Sequence, residues 1–138
     1  MNNEELENLI FNCSKKFKLS EKEIVCLICE TFLSKNFYSN FMKNRVEILQ
    51  KFIKNEKLEK AFLEYLTLFC FETQQQKDSK NEILENLNEI LKFLYEKNVL
   101  SKKILKIWNE KKKFQLVQST KKIQKFKDSS KLFFDQLL

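Results

Sequence analysis

The chain has 138 residues, enough for one domain that buries roughly 68% of its unfolded surface without disulfides or metals. It contains 0 Gly and 0 Pro, so hairpin-rich β folds and the glycine loops of nucleotide-binding sites are excluded, and an all-helical chain with polar turns remains. With 0 His it has no imidazole base, no histidine metal ligand and no near-neutral switch, and its formal net charge of +7 draws attention to acidic partners.

Helical periodicity runs through nearly the whole chain. Leu6, Leu9, Ile10 and Cys13 form a first stripe, with Phe17 trailing. Ser20 and Glu23 make a capping box that opens a second helix, with Ile24, Leu27, Ile28 and Phe32 on one side. A third helix is expected from 37 to about 53, with Phe41, Met42, Leu49, Phe52 and Ile53 inward. A fourth is expected from about 56 to 71, with Leu58, Phe62, Tyr65, Leu66 and Phe69 inward. Residues 73–79 contain no apolar side chain and mark an interruption. Ser79 with Glu82 then opens a fifth helix to about 96, striped by Ile83, Leu87, Ile90, Leu91 and Leu94. Ser101 caps a sixth, and Leu100 can pack on Leu105 as a hydrophobic staple. Residues 111–127 are lysine-rich with sparse apolar positions (Phe114, Val117, Ile123, Phe126) and suggest a frayed helix. Ser129 or Ser130 opens a last short helix carrying Leu132, Phe133, Phe134 and Leu137. The expectation is an all-α single domain over 1–138 with seven or eight helices. Short connections make neighbours antiparallel, and the pairs stack either as a bundle or as a HEAT-like superhelix.

Cys13, Cys26, Cys29 and Cys70 lack the two close pairs of a structural zinc site, and the C-x-x-C of Cys26 and Cys29 lacks a βαβ context. They are expected to be buried apolar residues of a reducing compartment. The start of the chain is acidic, and no apolar run approaches the roughly 18 residues of a membrane span, so a soluble cytoplasmic protein without membrane contact is expected. Ala61 is the one Ala and Arg45 the one Arg amid abundant Lys, Asn, Phe, Ile and Leu, the residue choice of an AT-rich genome.

The positive charge is local. Residues 1–96 hold 14 basic and 16 acidic side chains, whereas residues 97–127 hold 11 lysines and a single acid, Glu110. Lys102, Lys103, Lys106, Lys111, Lys112, Lys113, Lys121, Lys122, Lys125 and Lys127 make up most of this zone. Such a zone attracts acidic protein surfaces or polyanions, and Phe114 and Phe126 within it are candidates for stacking on RNA bases or for the core. The carboxylates sit beside lysines in exposed helical patterns, and Ser and Thr fall at caps and turns with no base to activate them. No catalytic constellation, cofactor site or metal site is expected, and the chain is read as a non-enzyme.

Residues 94–108 carry a more specific signal. Leu94, Tyr95, Glu96, Val99, Leu100, Ser101, Leu105 and Trp108 resemble, without a gap, the first aromatic and acidic box of a two-tryptophan HEAT domain. That domain ends eukaryotic initiation factor five, the epsilon subunit of initiation factor two-B and long forms of initiation factor four gamma. The run from Leu132 through Leu137 resembles the second box, so the similar regions are 83–110 and 129–138. Asn98, Lys102 and Lys103 stand where the family tends to be acidic, and Gln136 where a second Trp is expected. The resemblance implies a protein-binding adaptor of translation initiation that engages the lysine-rich segment of initiation factor two beta or epsilon-type partners. It implies partner contacts at Glu89, Tyr95, Glu96, Trp108, Glu110, Phe134 and Asp135. Guanine-nucleotide exchange in the manner of the epsilon subunit and a basic RNA-associated helical protein are the alternatives.

Overall fold

The computed structural model describes residues 2–32, 42–72, 82–111, 114 and 117–137. All regular structure among the described residues is helical: α1 (Asn3–Phe17), α2 (Glu21–Phe32), α3 (Met42–Phe52), α4 (Glu56–Glu72), α5 (Glu82–Glu85), α6 (Leu87–Glu96), α7 (Lys102–Glu110), α8 (Thr120–Ser129) and α9 (Lys131–Leu137).

Capping chemistry starts these helices. The Asn2 side chain accepts from the Glu5 amide at 2.8 Å, and Glu4 and Glu5 complement the positive end of α1. The Ser20 hydroxyl accepts from the Glu23 amide while the Glu23 carboxylate accepts from the Ser20 amide, both at 3.2 Å, so the expected capping box is present. Asn55 caps α4 by accepting from the Leu58 amide at 3.0 Å. Ends are harder in a chain without glycine. Lys18 closes α1 at φ 51°, a left-handed conformation that a side chain with a Cβ normally avoids.

The helices stack in two layers. In one, α1 and α3 run parallel: Arg45 donates to Asn3 at 2.9 Å, Lys51 pairs with Glu7, and the Phe11 and Phe52 rings lie 5.2 Å apart. Gln50 at the end of α3 donates to the Lys97 carbonyl at the end of α6, which extends this layer to α6 and to α9 packed on it. In the other layer α2 packs on α4 and α4 on α7. The parallel run of α1 and α3 within one layer is that of the stacked hairpins of a HEAT-like fold. Buried apolar residues from Leu6 to Phe134 form one continuous cluster. Its spine is α4, whose Leu58, Phe62, Leu63 and Leu66 are fully buried. Thr67 is buried among them and satisfies its hydroxyl by donating to the Leu63 carbonyl at 2.7 Å.

Several expectations change in detail. The expected fifth helix is divided at Asn86, whose φ of −108° and ψ of 19° leave the helical range and separate α5 from α6. Within 111–127 the described residues before Thr120 are not helical, and Phe114 and Val117 among them enter the core. Leu9 is 47% and Phe17 63% exposed, since α1 is a terminal helix whose inward face is set by Leu6 and Ile10. Leu132 is also at the surface, because α9 turns Phe133 and Phe134 inward. Cys29 and Cys70 are buried, but Cys13 and Cys26 are half-buried, and none of the four is in a disulfide among the described residues. The expected start of the third helix at 37–41, the inward placement of Phe41 and Met42, the Phe32 side chain, the interruption at 73–79 and the Ser79–Glu82 box lie outside the described residues. No helix among the described residues is long and apolar enough to cross a membrane.

Burial pushes the thiols of Cys26, Cys29 and Cys70 up from their ordinary value. A hydrogen bond between its hydroxyl and the Cys26 sulfur, together with burial, pushes the Tyr65 phenol up to about 12. The folded protein therefore keeps protons that the unfolded chain releases from about pH 8.5 for thiols and about 10 for a phenol. The linked stability is complete below those values and is lost as pH rises through the raised folded values. Thermal melts should be flat between about pH 6 and 8, where the histidine-free chain has no titrating side chain, and the midpoint should fall progressively above about pH 9. A midpoint that drops between pH 6 and 8 would contradict this.

Candidate protein-binding surface

The corner between α6 and α7 is built from the residues that resemble the first box. The Val99 amide donates to the Leu94 carbonyl at 2.9 Å and the Asn98 amide to the Tyr95 carbonyl at 3.1 Å, the paired bonds of a Schellman end. Asn98 takes the left-handed position at φ 60°, the residue best suited to it after glycine. Val99 and Leu100 then drop into the core beside Leu94. Ser101 caps α7 as expected, its hydroxyl accepting from the Ile104 amide at 3.3 Å. Leu100 and Leu105 of the expected staple are both fully buried.

The corner is tied to α4 by acids that local pattern did not reveal. The buried Glu59 carboxylate accepts from the Ser101 amide, Glu56 pairs with Lys103 at 3.0 Å, and Glu64 pairs with Lys111 at 3.3 Å. Glu56 and Glu59, early in α4, meet the start of α7, and Glu64, a turn or more later, meets its end, which makes α4 and α7 parallel. A groove of about 580 Å³ opens beside this corner, walled by Lys54, Glu59, Tyr95, Glu96, Asn98 and Lys102 among others.

Trp108 lies inside rather than on the surface, with 3% of its area exposed. Its ring stacks on Phe114 at 4.2 Å and 10°, and meets Phe126 edge-on at 6.5 Å. Phe114 and Phe126 are themselves buried, so the aromatics of the lysine zone are core residues and offer no stacking platform to bases. The Lys111 ammonium reaches over the Trp108 ring at 5.5 Å and the Phe114 ring at 5.9 Å. Lys127 donates to the Lys111 carbonyl, a cation at the negative end of α7.

The second box is brought to the first by a side chain that sequence pattern missed. Ser130 is buried, and its hydroxyl turns back to donate to the Phe126 carbonyl at 2.9 Å instead of capping α9. The cap comes from α6: Asn88 accepts from the Phe133 amide at 2.9 Å. Phe133 and Phe134 are buried with ring centres 5.2 Å apart.

The candidate residues therefore divide by layer. Glu89 and Glu96 are exposed two turns apart on α6, and Asp135 is exposed on α9, which packs on α6. Tyr95 is half-buried at the groove, Glu110 is exposed on α7, and Phe134 supports its helix from within. On the basic side Lys102, Lys103, Lys106, Lys121, Lys122 and Lys125 are exposed, while Lys111 and Lys127 are half-buried. Lys112 and Lys113 lie outside the described residues.

Trp108→Ala should cost about 3–5 kcal/mol, the usual loss for a buried large aromatic, measured as a fall in the urea midpoint. Asn88→Ala should cost about 1 kcal/mol by leaving the α9 amide uncapped. An unchanged urea midpoint in either variant would contradict the packing described.

No known family model matches the sequence, and no curated protein matches it. Its fold is similar to that of a solved structure, the C-terminal domain of translation initiation factor 5 at low pH. The two share 22% sequence identity with a TM-score of 0.59, over 99% of this chain and 91% of the other. At that identity the likeness is one of fold, and it extends over nearly the full length of both chains.

Proposed function

We propose that residues 1–138 act as one unit, a protein-binding adaptor domain of the translation initiation machinery that carries no reaction of its own and works in the cytoplasm. The observation that carries this reading is the fold likeness to the C-terminal domain of translation initiation factor 5 over 99% of the chain. The corner at Leu94 to Ser101 supports it, since the residues that resemble the first box form a rigid turn beside a groove.

The binding face is the exposed side of α6 with α9. Glu89, Glu96 and Asp135 place carboxylates on it, interspersed with Lys92 and Lys131, and Tyr95 adds a half-buried aromatic at its edge. Opposite charge steers such partners together and sets their register. The partner is the lysine-rich segment of initiation factor two beta, the partner that the resemblance of the two boxes implies.

A pull-down of the full chain with that lysine-rich segment at low salt tests the reading. Capture is expected, and the double variant Glu89→Lys with Glu96→Lys should weaken it about tenfold or more while leaving the circular-dichroism melt unchanged. No capture by the folded parent chain would overturn the proposal.

A further inference from the structure

Trp108 presents a second problem that packing alone does not solve. Its Nε1–H is buried and has no hydrogen-bond acceptor among the described residues. Such a donor is costly to leave unmade, and in native structures it calls for an explanation. Trp108 is also part of the wall of a groove of about 300 Å³ between α4 and α7, with Lys60, Ile104, Ile107, Glu110 and Lys111. That volume is at the low end for ligand pockets and admits one or two side chains rather than a cofactor. Ile104 and Trp108 supply an apolar base, and Ile107 stands on the rim with 41% of its area exposed.

The rim is positively biased. Lys103 and Lys111 are already neutralised by Glu56 and Glu64. Lys60, Lys102 and Lys106 are exposed and have no carboxylate partner among the described residues, against Glu110 as the free acid on the rim. Lys102 and Lys106 lie one turn apart, on the outer side of α7 next to Ile107.

We propose that this groove docks an acidic segment of a partner protein. The segment places one large apolar side chain beside Ile107 and Trp108 and sets its carboxylates against Lys60 and Lys106, while the indole N–H, which has no accessible surface, stays inside the wall. A protein segment fits better than RNA, because the Trp108 ring is stacked on Phe114 and overlaid by Lys111, which leaves no aromatic face for a base. The site goes beyond the adaptor reading above: it has the opposite charge and lies in the opposite layer from Glu89 and Glu96, so either can fail without the other.

The test is fluorescence anisotropy of a short fluorescein-labelled peptide, one Phe among glutamates, titrated with the full chain at low salt. Saturable binding that weakens as salt is raised is expected. Ile107→Glu and Lys106→Glu, both on exposed positions, should each weaken it about tenfold or more with the melt unchanged. Glu89→Lys, in the opposite layer, should have no effect. Absence of saturable binding would overturn the proposal, as would equal affinity for a peptide with Ser in place of Phe, or an unchanged affinity in Ile107→Glu. Binding of a polyuridylate strand, insensitive to Ile107→Glu, by a chain that ignores the peptide would also overturn it and assign the positive zone to RNA.

Discussion

Two carboxylates on α4 set the register of the carboxy-terminal half. Glu59 receives the Ser101 amide, and Glu64 holds Lys111 eight residues beyond the second residue of α7. Both acids are buried, so each would be costly without its partner, and their spacing along α4 admits one alignment of α7. Everything downstream follows from that alignment. It delivers Trp108 to Phe114, brings α8 back so that Lys127 reaches the end of α7, and leaves α9 to close on α6 under Asn88. The exposed pair of Glu56 and Lys103 adds little energy at the start of the same two helices.

Local chemistry made much of the architecture readable in advance. The Ser20 box, the Ser101 cap and the stripes of α4 and α6 depend on residues within a turn of one another, and those parts agree with the structure. What escaped were contacts between distant residues. Asn88 and Phe133 are 45 positions apart, and Glu59 and Ser101 are 42 apart, so neither bond leaves a trace in periodicity. The break at Asn86 escaped because leucines continue on both sides of it. Phe114 is not helical although a helix is expected over 111–127, because its stacking on Trp108 outweighs helical propensity in a lysine-rich stretch. In the candidate site the acids of α6 and α9 and the lysines of α7 were nameable from sequence. Their separation into opposite layers was not, because it depends on how the hairpins stack.

That separation gives the molecule two electrical faces. The net charge of +7 describes neither of them: the side of α6 and α9 mixes Glu89, Glu96 and Asp135 with Lys92 and Lys131, while α7 and α8 show a row of lysines. Intramolecular pairing reduces the basic face further, since Lys103 and Lys111 are committed to α4. A fold of stacked hairpins suits such a division, because each hairpin contributes one helix to each layer and the two surfaces can change independently. Burial of Phe114, Phe126 and Trp108 leaves charge and aliphatic contact, rather than ring stacking, as the means of recognition on the basic side.

The parallel stacking of α1 on α3 also has a mechanical consequence. Each hairpin touches mainly its neighbours, so cohesion is distributed along the stack rather than centred. The contacts of the amino-terminal pair include a hydrogen bond from Arg45, an ion pair with a half-solvated lysine, a tilted ring contact and the buried Leu6 and Ile10, while Leu9 and Phe17 remain largely in water. The other end is locked by buried acids and an aromatic cluster. Unravelling should therefore be directional, with α1 peeling away first and the Trp108 region retaining its structure until last.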